Sequence, residues 1–243
     1  MIMKKLVLFL AALFFVVGAT MAQTENKSAV TVSGDSDGNE VYVKQDINGD
    51  DLNVSSVSIT AESDDNIVRV NQEGENQDSD VDIDANSDDN YVRIDQNDED
   101  QESDVDIFNS WNNDVYVEQD GEDNESDVDI SDYSDNNYVD VDQDGDNNSS
   151  SVSIYDGSGF DSGNTVLVDQ DGDGLESEVE IGDGSDGNFV DINQDGEDHE
   201  SDVLIYSTSD FNTILVEQDG DYSTSDVEVS YGSEYNTIDV TQK

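Results

Sequence analysis

A nine-fold internal repeat constrains this chain more than any other feature. Gln recurs at Gln45, Gln72, Gln96, Gln119, Gln143, Gln170, Gln194, Gln218 and Gln242, at intervals of 27, 24, 23, 24, 27, 24, 24 and 24 residues. Six residues before each Gln stands an Asn: Asn39, Asn66, Asn90, Asn113, Asn137, Asn164, Asn188, Asn212 and Asn236. The second and fourth residues after each Asn are Val or Ile at all 18 such positions, from Val41/Val43 to Ile238/Val240, so coincidence does not explain the pattern. A second segment, Ser-x-Val-x-(Ile/Val), precedes each one and starts at Ser28, Ser55, Ser79, Ser103, Ser126, Ser150, Ser177, Ser201 and Ser225. The step from Ser to Asn is 11 residues in seven units; the exceptions are Ser103 to Asn113 and Ser150 to Asn164.

Strict alternation of β-branched residues marks a strand with one buried face. Asn, the two aliphatics and Gln share one parity and point inward together. Residues such as Tyr91, Arg93 and Asp95 take the other parity. Gly, Asn, Asp and Ser separate the strands, and a turn is expected where the second strand meets Asp-Gly, as at Asp120-Gly121 and Asp144-Gly145. One two-strand unit cannot close a core, but stacked units can. The expected fold is therefore all-β: a β-solenoid of nine two-strand repeats of about 24 residues. Nine rungs at a strand spacing of about 4.8 Å predict a rod roughly 43 Å long.

Inward Ser, Asn and Gln would destabilise a core if left without partners. In a stack, each amide can donate to the carbonyl of the equivalent side chain one rung away. The 18 Asn and Gln residues named above are therefore the candidate amide-ladder and polymerisation positions.

Charge excludes several functions. The chain carries 63 Asp+Glu against 7 Lys+Arg, one His and no Cys. Nucleic-acid binding needs a basic face, which is missing. Disulfides and thiol chemistry are excluded, and a single His argues against His-based catalysis. No enzyme is expected. The chain opens with Lys4 and Lys5, an apolar run from Leu6 to Ala19, and small residues before Gln23, the pattern of a secretory signal peptide. Fourteen apolar residues fall short of the ~20 that span a bilayer, so no stable membrane insertion is expected. The predicted organisation is a signal peptide over 1–22, a short segment over 23–27 and the repeat array over 28–243.

The repeat resembles that of the curlin family of bacterial functional amyloids, Ser-x5-Gln-x-Gly-x-x-Asn-x5-Gln. Ser79, Asn90 and Gln96, like Ser201, Asn212 and Gln218, keep its spacing, and the likeness covers nearly the whole of 28–243. The resemblance implies a curlin-like β-helix, secreted to the exterior or cell surface, that polymerises into fibres for biofilm matrix and adhesion. It also implies the chain itself as main partner, with a nucleator or second curlin-like subunit as another. The first curlin Gln is absent from all nine units, where Gly34, Ala61, Ala85, Asn109, Asp132, Asp156, Asp183, Ser207 and Tyr231 stand. The curlin Gly two places later is usually Ser, as at Ser87, Ser134, Ser185, Ser209 and Ser233. The resemblance therefore carries no export route and no choice between subunit and nucleator.

The repeat runs from near the predicted cleavage point to Gln242, so both ends are expected to present open strand edges that template addition of another copy. Acidic rows oppose this. Asp80, Asp104, Asp127, Asp202 and Asp226 occupy equivalent outward positions, and like charges ~4–5 Å apart repel by roughly 1 kcal/mol even in water. High salt, low pH or divalent cations would screen them. Asp169-x-Asp171-x-Asp173-Gly174-x5-Glu180 matches the calcium-loop expression of EF-hands, but it overlaps strand patterns and lacks flanking helices. Weak, multi-site Ca²⁺ binding by Asp144, Asp169, Asp171 and Asp173 is the cofactor expectation. The leading functional expectation is a secreted fibre subunit. The alternative is a monomeric, acidic, Ca²⁺-dependent adhesin or matrix rod.

Overall fold

A computed structural model of the chain describes residues 26–47, 52–159 and 162–243. The expected signal peptide lies outside them. The described residues form eighteen strands and no helix: β1 (Lys27–Val32), β2 (Glu40–Ile47), β3 (Val54–Ile59), β4 (Ile67–Glu75), β5 (Asp78–Asp84), β6 (Tyr91–Glu99), β7 (Glu102–Phe108), β8 (Asp114–Glu122), β9 (Glu125–Ser131), β10 (Tyr138–Asp146), β11 (Ser149–Ile154), β12 (Thr165–Asp173), β13 (Glu176–Ile181), β14 (Phe189–Glu197), β15 (Glu200–Ile205), β16 (Thr213–Asp221), β17 (Thr224–Val229) and β18 (Thr237–Gln242).

Each odd strand pairs in parallel with the next odd strand, and each even strand with the next even one, so two nine-stranded sheets stack nine rungs. Register is one repeat per step: Ser79 lies beside Ser103, Val81 beside Val105, and Gln96 beside Gln119. The expected β-solenoid is the observed architecture.

Alternation sets the burial. Along β6, Val92, Ile94 and Gln96 are buried, while Tyr91, Arg93 and Asp95 between them are not. The core is a double file of Val and Ile from Val57 to Val229, with Val30, Val41, Val43, Ile238 and Val240 only partly buried at the two end rungs. A slip by one residue would turn every aliphatic outward, so the pattern fixes the register.

The turn lies elsewhere than expected. Asp144 and Gly145 sit inside β10, which continues to Asp146, and the chain turns at Asn147, where φ is +59°. The reason is close stacking of the in-strand glycines. Gly145 and Gly172 have φ of +123° and +150°. A Cβ on Gly172 would lie 2.0 Å from the carbonyl oxygen of Gly196. Only glycine combines that φ with that approach. Two changes in repeat length, at Ser103 to Asn113 and Ser150 to Asn164, fall in the other loop, and a third lies between Gln45 and Ser55. The shortened fourth unit packs Trp111 on Tyr133, with ring centroids 5.9 Å apart.

Candidate functional site: amide ladders and open end rungs

All eighteen predicted Asn and Gln residues fall into two continuous ladders. In the Gln ladder, Nε2 of each residue donates to Oε1 one rung later. The chain of bonds runs from Gln45 through Gln72, Gln96, Gln119, Gln143, Gln170, Gln194 and Gln218 to Gln242, at 2.7–2.9 Å. The second Nε2 hydrogen reaches across the rung to the carbonyl that precedes the inward Ser; Gln119 donates to Glu102 O at 3.0 Å.

The Asn ladder runs the opposite way. Nδ2 of each Asn donates to Oδ1 one rung earlier, as from Asn90 to Asn66 at 3.1 Å, and on through Asn39 at one end and Asn113, Asn137, Asn164, Asn188, Asn212 and Asn236 at the other. The backbone N–H of Asn90 donates to the same Asn66 oxygen at 2.8 Å. The other Nδ2 hydrogen of Asn90 goes forward to Ser110 O at 3.0 Å. An amide offers two donors and two acceptor positions, and an interior Asn such as Asn90 uses all four, which is why a buried polar row costs little here.

Two further columns escaped the sequence reading. Two residues before each inward Ser stand Asn26, Asn53, Gln77, Gln101, Asn124, Asn148, Leu175, His199 and Ser223. Several accept the backbone N–H of the next member: Asn53 Oδ1 from Gln77, Asn124 Oδ1 from Asn148, and His199 Nδ1 from Ser223 at 3.0 Å. The fixed offset was the available signal. It was hidden because a side-chain oxygen and a ring nitrogen do the same work under different residue names. The second column is a turn serine, whose hydrogen-bonding role the spacing alone did not reveal. Ser63 Oγ accepts from Ser87 N–H, and Ser87 Oγ from Ser110 N–H. Asp64, Asp88 and Asp135 carboxylates likewise accept backbone N–H groups from the preceding rung.

The outer faces are acidic rows. Asp78/Glu102/Glu125, Asp80/Asp104/Asp127 and Asp82/Asp106/Asp129 are adjacent in register across three rungs of one sheet. Partial burial, then Asp106, Asp80 and Asp127, push Asp104 up to about 6. On the other sheet, burial and then Glu118 and Asp169 push Asp142 up to about 6. On that second sheet Arg93 pairs with Asp95, and Lys243 with Glu217 at 3.3 Å. Arg69 lies between the rings of Tyr42 and Tyr91, 5.7 and 5.5 Å from their centroids.

The four expected Ca²⁺ candidates are placed as follows. Asp144 lies beside Asp171 in register, while Asp169 lies beside Asp142 and Asp173 beside Asp146. They are spread along β10 and β12, and among the described residues no three acidic or His side chains converge as a metal-binding group. The EF-hand-like pattern occupies β12 and β13. No helix among the described residues is long and apolar enough to cross a membrane.

Among the described residues both sheets end on unpaired strands, β1 and β2 at one end and β17 and β18 at the other. The rows that are buried between them are partly exposed there. No protein-family model, curated protein or solved structure matches the chain.

Proposed function

We propose that this protein is a secreted structural subunit that assembles end to end into curlin-like cross-β fibres for an extracellular matrix and for adhesion. The observation that carries this reading is the pair of open end rungs. They present the same Asn, aliphatic and Gln rows that every interior rung buries against its neighbours. Full burial of a Val or Ile side chain contributes about 1.5–3 kcal/mol, and an unpaired strand edge recruits another strand. A second copy of the chain supplies both. The ladders add direction. The Gln ladder starts at the Gln45 carbonyl and ends at the Gln242 amide nitrogen, and the Asn ladder has the reverse polarity. In a head-to-tail join the Gln242 amide meets the Gln45 carbonyl and the Asn39 amide meets the Asn236 carbonyl.

The test is fibrillation of the purified protein, followed by thioflavin fluorescence and electron microscopy. Conditions are neutral pH in low salt, added Ca²⁺, and pH 4. Fibres that disappear on Ile238→Lys and Val240→Lys, with the soluble rod still β-rich, support end-to-end growth. A folded monomer under all three conditions overturns it.

The acidic rows favour a second reading, a monomeric Ca²⁺-dependent adhesin or matrix rod. Carboxylates repeating once per rung on both sheets oppose close approach of two copies. Under that reading Ca²⁺ raises thermal stability and adhesion without producing fibres.

A further inference from the structure

The inward Ser column is the longest buried row, among the described residues, whose side-chain oxygens are left without partners; Gln77 Oε1, Gln101 Oε1 and Ser134 Oγ are the others. Ser55, Ser79, Ser103, Ser126, Ser150 and Ser177 stand beside one another on six consecutive rungs. Each is 0–2% exposed, and none of the six hydroxyls has a hydrogen-bond partner. Every interior side chain of the neighbouring Asn and Gln ladders is bonded to the rungs on either side, so this row differs from them. It differs also from its own end, where Ser201 and Ser225 hydroxyls meet at 3.3 Å.

We propose that this column seats a file of internal water molecules, one between each pair of consecutive serines from Ser55 to Ser177. Successive strands are about 4.8 Å apart, and O–H···O bonds are about 2.8 Å long. A water bonded to two hydroxyls at that separation closes an angle of about 118°, near the tetrahedral angle it prefers. Serine is the smallest side chain of the inward rows. The Gln ladder passes close by, since Gln96 Nε2 donates to the carbonyl of Asp78, the residue before Ser79. Gln96 Oε1 accepts one bond, from Gln72, and an amide oxygen has room for a second. Each water thus bridges two hydroxyls, within the two to four partners that buried waters hold. The hydroxyl of each serine gives one bond and takes one, so the file is continuous along the rod. This holds whether or not the ends join.

The experiment has two parts. Oxygen-17 magnetic relaxation dispersion on the purified protein counts waters held longer than the rod's tumbling time. Ser79→Ala, Ser103→Ala and Ser126→Ala are then combined in one chain. The expected result is about five long-lived internal waters, one per interval between the six serines, and fewer in the triple variant. The variant's folding equilibrium constant should fall at least about tenfold, because bridged polar groups are being removed. A native protein with no long-lived internal water overturns the proposal. So does a triple variant as stable as the native protein, since removing unbridged hydroxyls relieves a desolvation cost. If the variant does not fold, the count on the native protein decides. A structure at water-resolving resolution that shows successive hydroxyls in direct contact, as at Ser201 and Ser225, overturns it as well.

Discussion

Gln143 Nε2 donates to Gln170 Oε1 at 2.8 Å although 27 residues separate them, and Gln96 makes the same bond to Gln119 at 2.9 Å across 23. The ladder therefore ignores the length of chain between its members. Extra residues leave through the loop between strands, and the stack keeps its register. Each amide bond is local in space even though it is distant in sequence, and each strengthens its neighbours by polarisation.

Removing one ladder member should expose this dependence. Gln119→Ala leaves the Gln96 donor and the Gln143 acceptor without a partner in a buried row and removes one bond to the Glu102 carbonyl. The expected loss is about 2–4 kcal/mol, read as a lower denaturation midpoint. Replacing Gln143 as well should slow fibre elongation. Unchanged elongation would remove the ladder from the assembly mechanism.

Acid should stabilise the rod. Asp104 and Asp142 are pushed up to about 6 by burial and neighbouring carboxylates, above the ordinary value near 4. The folded state thus binds protons more tightly than the unfolded chain. Stability is highest below about pH 4 and declines as pH rises through about 6. Chemical denaturation at pH 4.5 and pH 7 checks this, and added salt at pH 7 should recover part of the difference. Equal midpoints at the two pH values would mean that the acidic rows do not set the balance.

Gly172 should tolerate no side chain where it stacks, although Asp98 holds the same column at a smaller φ of +77°. Gly172→Ala forces a Cβ against the Gly196 carbonyl at 2.0 Å with φ at +150°. Backbone displacement there should cost about 3 kcal/mol or more. Gly220 has φ of +108° but nothing within 4 Å of its added Cβ. Gly220→Ala then carries only the backbone strain, about 1–2 kcal/mol. Comparing the two thermal midpoints separates contact from conformation.

His199 should be replaceable by the residue type that its column otherwise favours. Its Nδ1 accepts the Ser223 N–H, as Asn148 Oδ1 accepts that of Leu175. His199→Asn should stay within about 1 kcal/mol of the native stability, whereas His199→Leu leaves that N–H without its acceptor at a cost of about 1–3 kcal/mol. Amide exchange at Ser223 reads the difference directly. Faster exchange in the Asn variant than in the Leu variant would contradict the assignment.

The strands, their parallel stacking and both amide ladders were legible because alternation of Val and Ile reports burial at every second residue. The constant Asn and Gln needed only one physical argument, that buried amides must find partners. The Asn53 to Ser223 column was not legible because Asn, Gln, His and Ser take part in it under no shared residue name. The position of the turn was misjudged for a different reason. Asp-Gly is a turn signal when glycine supplies φ freedom to a loop, but Gly145 and Gly172 use that freedom to let neighbouring rungs touch. Sequence spacing reports which residues share a column; it does not report how near two backbones come.

The opposed directions of the two ladders have an electrical consequence. The Gln amides all point their nitrogens toward later rungs, and the Asn amides point theirs toward earlier ones. Aligned amide dipoles add along a helix, but here each rung contributes one in each sense. Their sum stays near zero at any number of rungs. A filament built by repeating this unit would gain length without accumulating polarisation at its tips, so its hundredth rung would meet the same field as its second.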